Sequence, residues 1–377
     1  MSFGLSQRIR WRSLRWLGLL LVGVFATVGL SLGPVNAQQI KAEDAFCTVS
    51  SGPLANPVQG RSYGDPHIQT YDGLSYAFHL LGEFDLTQTQ SGNFKVQARQ
   101  KRLASNNNVS LNSAVAMQVC GHRVAIYAQD IPDRGNTATW IDGVPTSVSE
   151  ATALPGGGEI QRVHNDEYAV IWPSGDQVIV RFITVGGDRF VNIMPTLSRA
   201  HRNTLIGLLG DYNGDPNNDL RGRDGTTVPP ESSYSLATNA LDRALPAVIP
   251  VRQVEDAYFD RLYRQFGDSW RITQADSLFD YRPGESTVTF TDRSFPSAFV
   301  TLNRVAPARV QSALDTCRNA GVAEALLDGC VFDVATTGDS GFAAAASRAI
   351  ADAVVRELTD RVIDEVIDAL PIPRFPF

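Results

Sequence analysis

From Ser75 to about Pro195 the chain repeats one pattern, in which short alternating or continuous apolar runs are broken by Gly, Asn, Asp and Pro. Leu74–Leu81, Phe84–Thr89, Phe94–Leu103, Ala114–Val119, Arg123–Ala128, Glu167–Trp172, Gln177–Ile183 and Arg189–Ile193 have the length and period of strands. Turn chemistry separates them at Ser91-Gly92-Asn93, Asp142-Gly143, Gly156-Gly157-Gly158, Ser174-Gly175-Asp176 and Gly186-Gly187-Asp188. Such spacing predicts an antiparallel β-sandwich whose loops gather at its ends, where side chains distant in sequence meet.

After Arg223 the pattern changes. Residues 226–253 are rich in Thr, Ser, Pro and Ala and read as a linker, after which 254–377 shows helical spacing. Helices are predicted over Val254–Phe266, Ala306–Asn319, Ala323–Val334 and Phe342–Leu370. The last carries Ile350, Val354, Leu358, Val362 and Val366 on one stripe, suited to packing on its own module or to pairing with a second copy in a homo-oligomer. The predicted fold class is thus mainly β, a sandwich over 60–225 followed by a smaller, mostly helical module.

The first 37 residues modify this picture. Arg8, Arg10, Arg12 and Arg15 precede an apolar run from Trp16 to Leu32, and Val35-Asn36-Ala37 supplies small residues where a signal peptidase cuts, so a leader over 1–37 and an extension over 38–59 are expected. An uncleaved anchor is the alternative. No later run is long enough to span a membrane, which predicts a secreted or cell-surface protein. Loss of the four arginines lowers the net charge from −7 by four, to −11, a sign that argues against nucleic acid as partner. In an oxidising compartment Cys47, Cys120, Cys317 and Cys330 suit two disulfides with three pairings open; Cys317 with Cys330, around a short helical stretch, is favoured, and Cys47 with Cys120 then follows.

The densest chemistry lies in Gly207-Leu208-Leu209-Gly210-Asp211-Tyr212-Asn213-Gly214-Asp215-Pro216-Asn217-Asn218-Asp219, with six Asp or Asn side chains in nine positions. Hard oxygen donors at this density suit Ca2+ rather than zinc or copper. An EF-hand is excluded, because its loop needs glycine and glutamate where Pro216 and Gly222 stand. What remains is a compact turn in which Asp211, Asn213, Asp215, Asn218 and Asp219 point inward, or a solvated Asx-rich turn.

Ser62-Tyr63-Gly64-Asp65-Pro66-His67, followed by Thr70-Tyr71-Asp72-Gly73-Leu74-Ser75-Tyr76-Ala77-Phe78, completes a pattern. With the acidic run about 140 residues later, it resembles the von Willebrand factor type D family, which opens on Gly-Asp-Pro-His and closes on a Gly-Asn-Tyr-Asn-Gly run. The resemblance implies a sandwich with calcium held between the opening Asp and the closing loop, that is by Asp65, Asp211, Asn213, Asp215, Asn218 and Asp219. The family's closing cysteine is Leu209 here and most of its other cysteines are missing, which speaks against disulfide-linked polymers. Phe266-Gly267-Asp268-Ser269-Trp270, Ser277–Tyr281 and Cys330–Asp339 resemble the region after this domain in membrane mucins and sushi-containing adhesion proteins. Together these imply a non-enzymatic adhesion or assembly protein whose partner is an extracellular protein or glycan surface.

Some members of that family cut themselves at Asp-Pro, so a self-processing precursor cleaved at Asp65-Pro66 is the alternative function; it would compete with calcium for the Asp65 carboxylate. Enzyme motifs are missing: there is no Gly-x-Ser-x-Gly, no His-Glu-x-x-His and no phosphate-binding glycine loop, and His67, His79, His122, His164 and His201 stand singly. Arg99, Lys101 and Arg102 read as the solvated face of an edge strand. Trp140, Trp172 and Trp270 read as core.

Overall fold

The computed structural model describes residues 44–49, 54, 56–90, 92–230 and 251–348. The predicted leader, most of the linker and the apolar stripe from Ile350 to Val366 lie outside the described residues.

Among the described residues, sixteen strands run in chain order as β1 (Val58–Gln59), β2 (Arg61–Tyr63), β3 (His67–Gln69), β4 (Ser75–Ala77), β5 (Gly82–Thr89), β6 (Phe94–Arg102), β7 (Ser110–Val119), β8 (His122–Tyr127), β9 (Thr139–Ile141), β10 (Val144–Pro145), β11 (Ala151–Ala153), β12 (Glu159–His164), β13 (Glu167–Ile171), β14 (Gln177–Val185), β15 (Asp188–Leu197) and β16 (Leu205–Ile206). They form two antiparallel sheets. One follows the order β11-β12-β13-β14-β15-β2-β3-β4 with β1 also on β15; the other follows β10-β9-β8-β7-β6-β5-β16. A strand lies within each segment expected from apolar periodicity, although Leu74–Leu81 keeps only the three residues of β4, and the hairpins close at the glycine and Asx turns, as in the β14–β15 pair, which runs in register from Gln177↔Thr196 to Val185↔Asp188.

Sheet faces turned toward each other bury Phe84, Phe94, Val96, Val115, Val124, Val170, Trp172, Val180 and Ile193 in one apolar cluster. Trp140, Trp172 and Trp270 are all buried, as their strand and turn contexts suggested. Cys47 is bonded to Cys120 across 73 residues, a crosslink that restricts the unfolded chain by on the order of 4 kcal/mol in the loop-entropy account.

Beyond the sandwich, helices occupy Val251–Asp260, Pro307–Asn319 and Glu324–Thr337, and the first continues as a π-helical stretch over Arg261–Gly267. Residues 341–348 are also helical. The Cys317–Cys330 bond joins two of these helices, rather than flanking one helical stretch. Among the described residues these elements share the apolar clusters of the sheets and enclose no separate core. Tyr258, Leu262, Tyr263 and Phe266 belong to the main cluster. Leu326, Val331, Phe332 and Phe342 cluster with Tyr63, Leu111, Ile183 and Phe190 of the strands.

One expectation is overturned by position in the sheet. Strand β6 lies between β5 and β7, not at an edge, and Arg99 is fully buried instead of solvated. Its Nε donates to Glu83 at 2.7 Å, and its guanidinium lies against the rings of Phe290 at 3.7 Å and Phe279 at 4.5 Å. The segment after the linker covers this face: Trp270 and Ile272 bond to the β5 backbone at Asp85 and Glu83. Lys101 pairs with Asp130 at 2.8 Å, half-exposed, and Arg102 is exposed.

Candidate metal centre and a buried Asp-His-Asp cluster

The short strand β3 sets the geometry. Asp65 lies in the β2–β3 turn before it, and Asp72 lies in the β3–β4 turn after it. The four residue steps of extended chain from Pro66 to Thr70 span about 13 Å, so the two acids face opposite ends of the strand.

At the Asp72 end, the turn is closed by Thr70 N–H to Leu74 O at 2.9 Å and Gly73 N–H to Thr70 O at 3.2 Å. The acidic loop is stitched to it by Tyr71 N–H donating to Leu209 O, while Leu209 N–H donates to Leu86 O of β5. Leu209 is fully buried. Asp72 then receives two backbone donors of the loop, Asn213 N–H on Oδ2 at 2.9 Å and Gly214 N–H on Oδ1 at 2.8 Å. Thr70 Oγ1 donates to Asp219 Oδ2 at 2.6 Å.

The result is a cluster of Asp72, Asp211 and Asp219, with one carboxylate oxygen from each lying within 4.8 Å of the others. Asp211 Oδ1 and Asp219 Oδ1 are buried without a hydrogen-bond partner. Burial, with the charges of Asp72 and Asp211, pushes Asp219 up to about 7 against the Thr70 hydrogen bond; burial and the Asp72 charge raise Asp211. Gly210 has φ +79°, and a Cβ there would stand 2.1 Å from Asp219 Oδ1, so this glycine both turns the chain and leaves room for the acid. Three crowded carboxylates, two of them with an unpartnered buried oxygen, form a donor set that fits a hard divalent cation such as Ca2+.

The six residues expected as ligands therefore divide. Asp211 and Asp219 meet. Asn213 and Asn218 frame them, Asn213 Nδ2 donating to Asp211 Oδ2 at 3.0 Å and to Asn218 Oδ1 at 3.1 Å. Asp215 is exposed and caps a short helical turn through Asn217 N–H at 3.0 Å, so it points away from the cluster. Asp65 is not among them; Asp72 takes the place expected of it. The Thr-Tyr-Asp-Gly signal was in the sequence, but the spacing of β3, which decides between the two acids, was not.

At the other end of β3, Asp65 meets His67 and Asp333, all buried. His67 Nε2 lies 2.9 Å from Asp65 Oδ1 and in closer contact with Asp333 Oδ1. Burial alone would lower the His67 pKa, but the charges and hydrogen bonds of Asp333 and Asp65 raise it to about 10. Burial and the neighbouring Asp65 charge hold Asp333 well above the usual carboxylate range. The partners of Asp65 overcome its own burial and keep it below that range. His79 stacks on Phe332 at 5.7 Å, and burial depresses it to about 4. Asp333 comes from the helix Glu324–Thr337, inside the Cys330–Asp339 stretch that the sequence singles out without assigning it a contact.

A family model described as von Willebrand factor type D domain matches residues 60–226, and one described as Repulsive guidance molecule (RGM) C-terminal domain matches 284–357. Mucin-4 of Homo sapiens is 29% identical over 182 residues, covering 46% of this chain and 3% of that protein. Sushi domain-containing protein 2 of Homo sapiens is 24% identical over 292 residues, 75% of this chain and 31% of that protein. Protein mesh of Bombyx mori is 23% identical over 286 residues, 68% of this chain and 16% of that protein. The chain thus spans under a third of the length of each of these relatives. No helix among the described residues is long and apolar enough to cross a membrane. With the Thr-Tyr-Asp-Gly turn and the closing acidic loop joined at one end of a two-sheet sandwich and the family match falling on the same residues, the chain over 60–226 is a von Willebrand factor type D domain.

Proposed function

We propose that this is a calcium-stabilised extracellular adhesion or assembly module without enzymatic turnover of an external substrate, its ion held by Asp72, Asp211 and Asp219 with Asn213 and Asn218 beside them. The two disulfides and the likeness to Mucin-4 and Protein mesh support an extracellular setting. The observation that carries calcium is the pair of buried, unpartnered oxygens on Asp211 and Asp219 beside Asp72. An ion bound only by the folded state stabilises it by mass action, and here it would fasten the β3–β4 turn to the loop that follows β16. The partner is an extracellular protein or glycan surface.

Calorimetric titration of the purified mature protein with CaCl2 tests this, combined with melting in calcium and in chelator. One ion should bind per chain, and chelation should lower the melting temperature. Asp72→Asn should weaken binding at least tenfold, whereas Asp65→Asn should leave the affinity unchanged. Melting indifferent to calcium in the wild type would remove the site.

A second reading is that the chain processes itself at Asp65-Pro66. Support comes from the separation of the two acids along β3: with Asp72 rather than Asp65 at the acidic loop, the Asp65 carboxylate is not committed to a cation and sits ionised beside an imidazole and a second carboxyl. Intact-mass measurement under reducing conditions, looking for a new terminus at Pro66, tests this reading.

A further inference from the structure

The helix Glu324–Thr337 is seated on the β2–β3 turn through two glycines, one on each partner. A Cβ at Gly64 would lie 2.5 Å from Asp333 Oδ2, and a Cβ at Gly329 would lie 3.0 Å from both the His67 ring and the Tyr63 hydroxyl. The turn itself is pinned on both sides of the Asp65-Pro66 bond. Gly64 N–H donates to Asn192 Oδ1 at 3.1 Å, and Phe78 N–H donates to Pro66 O at 3.0 Å. His67 Nε2 carries at most one proton, yet two carboxyl groups reach it.

The geometry points to Asp333 as a positioning residue for scission of Asp65-Pro66: it orients His67 and shares its proton, so that the bond becomes cleavable only once the helix Glu324–Thr337 has docked. This rests on the self-processing reading above. In the step, an Asp65 carboxylate oxygen attacks the main-chain carbonyl carbon of Asp65, and the C–N bond to Pro66 breaks. The proline nitrogen keeps the bonding pair and takes a proton from the His67–Asp333 pair. The five-membered anhydride left on Asp65 adds water, giving the side-chain carboxyl and a new C-terminal carboxyl, whose ionisation returns the proton. The titratable groups facing the turn are Tyr63, His67, His79 and Asp333, with Arg61 and Asp328 acting on Tyr63. Because Cys47 precedes the bond and Cys120 follows it, the two pieces remain covalently joined after the cut. The unreduced product gains only the mass of one water.

The full mature chain is followed over time by intact mass, reduced and unreduced, across a range of pH. The wild type is expected to yield two reduced pieces with Pro66 at the new terminus. Asp333→Asn is expected to slow the cut roughly 10²- to 10⁴-fold, the usual worth of positioned proton transfer. Asp333→Glu should restore part of the rate with a displaced pH profile, a readout that loss of packing would not produce. Gly329→Leu, which retains Asp333 but lifts the helix from the turn, should also slow it. Should Asp333→Asn fail to fold, the Glu variant decides: wild-type rate and pH profile overturn the role of Asp333. A wild type cut at Pro66 while folded Asp333→Asn is cut equally fast overturns the inference alone. A wild type left whole at every pH sinks the self-processing reading and this inference with it.

Discussion

His79 is buried with both ring nitrogens unpartnered among the described residues, against the face of Phe332. A base kept neutral in the fold and free to charge when unfolded makes stability depend on pH. Its pKa is about 4 folded, against an ordinary value near 6.5, so between these limits the unfolded chain binds more protons. Stability from this residue is therefore present above about pH 6.5 and falls as pH drops toward 4, by up to about 1.4 kcal/mol per pH unit. Urea melts from pH 7 to 4 should show this acid limb, and His79→Gln should flatten it. An unchanged limb in the variant would assign it to other groups. His67 behaves oppositely: its pKa is raised to about 10 because it faces two carboxyls, where His79 faces an aromatic ring.

Strands β5 and β6 carry a buried ion pair on the sheet face away from the sandwich core. Arg99 bonds to Glu83, whose second oxygen accepts from the Tyr281 hydroxyl at 2.6 Å, and the rings of Phe279 and Phe290 cover the guanidinium. The pair fastens the segment after the linker to the sheet. Arg99→Met should cost about 3–5 kcal/mol, because Glu83 is left buried without its cation, and adding Glu83→Gln should recover part of the loss. Chemical denaturation of the single and double variants measures both. Additive losses would mean that the two side chains do not act as a pair. The alternating apolar pattern of β6 was legible in the chain, but whether its polar face met water or a second layer depended on Phe279, Tyr281 and Phe290, far along the chain.

Across the whole molecule, apolar side chains of the C-terminal helices and of both sheets are members of common clusters. Neither part can open without exposing the core of the other. Calorimetry in excess calcium should therefore show one cooperative transition, with equal calorimetric and van't Hoff enthalpies. Two resolved transitions would mean that the helices and the sandwich are separate folding units.

The sequence by itself determined the sandwich, because alternation with a period of two commits each strand to one buried face and its Gly and Asx turns commit it to antiparallel neighbours. It also determined that Asp211 and Asp219 share a loop, since eight residues of turn keep them close whatever the remainder does. Only the tertiary structure decided which opening acid joins them. Asp65 and Asp72 look equivalent as residues flanking one motif, and they are separated by a rigid strand whose ends face different parts of the fold. It alone brought Asp333 to His67, 266 residues away in the chain, and to Asp65 beside it, through an interface set by glycine contacts and aromatic packing that no local pattern encodes.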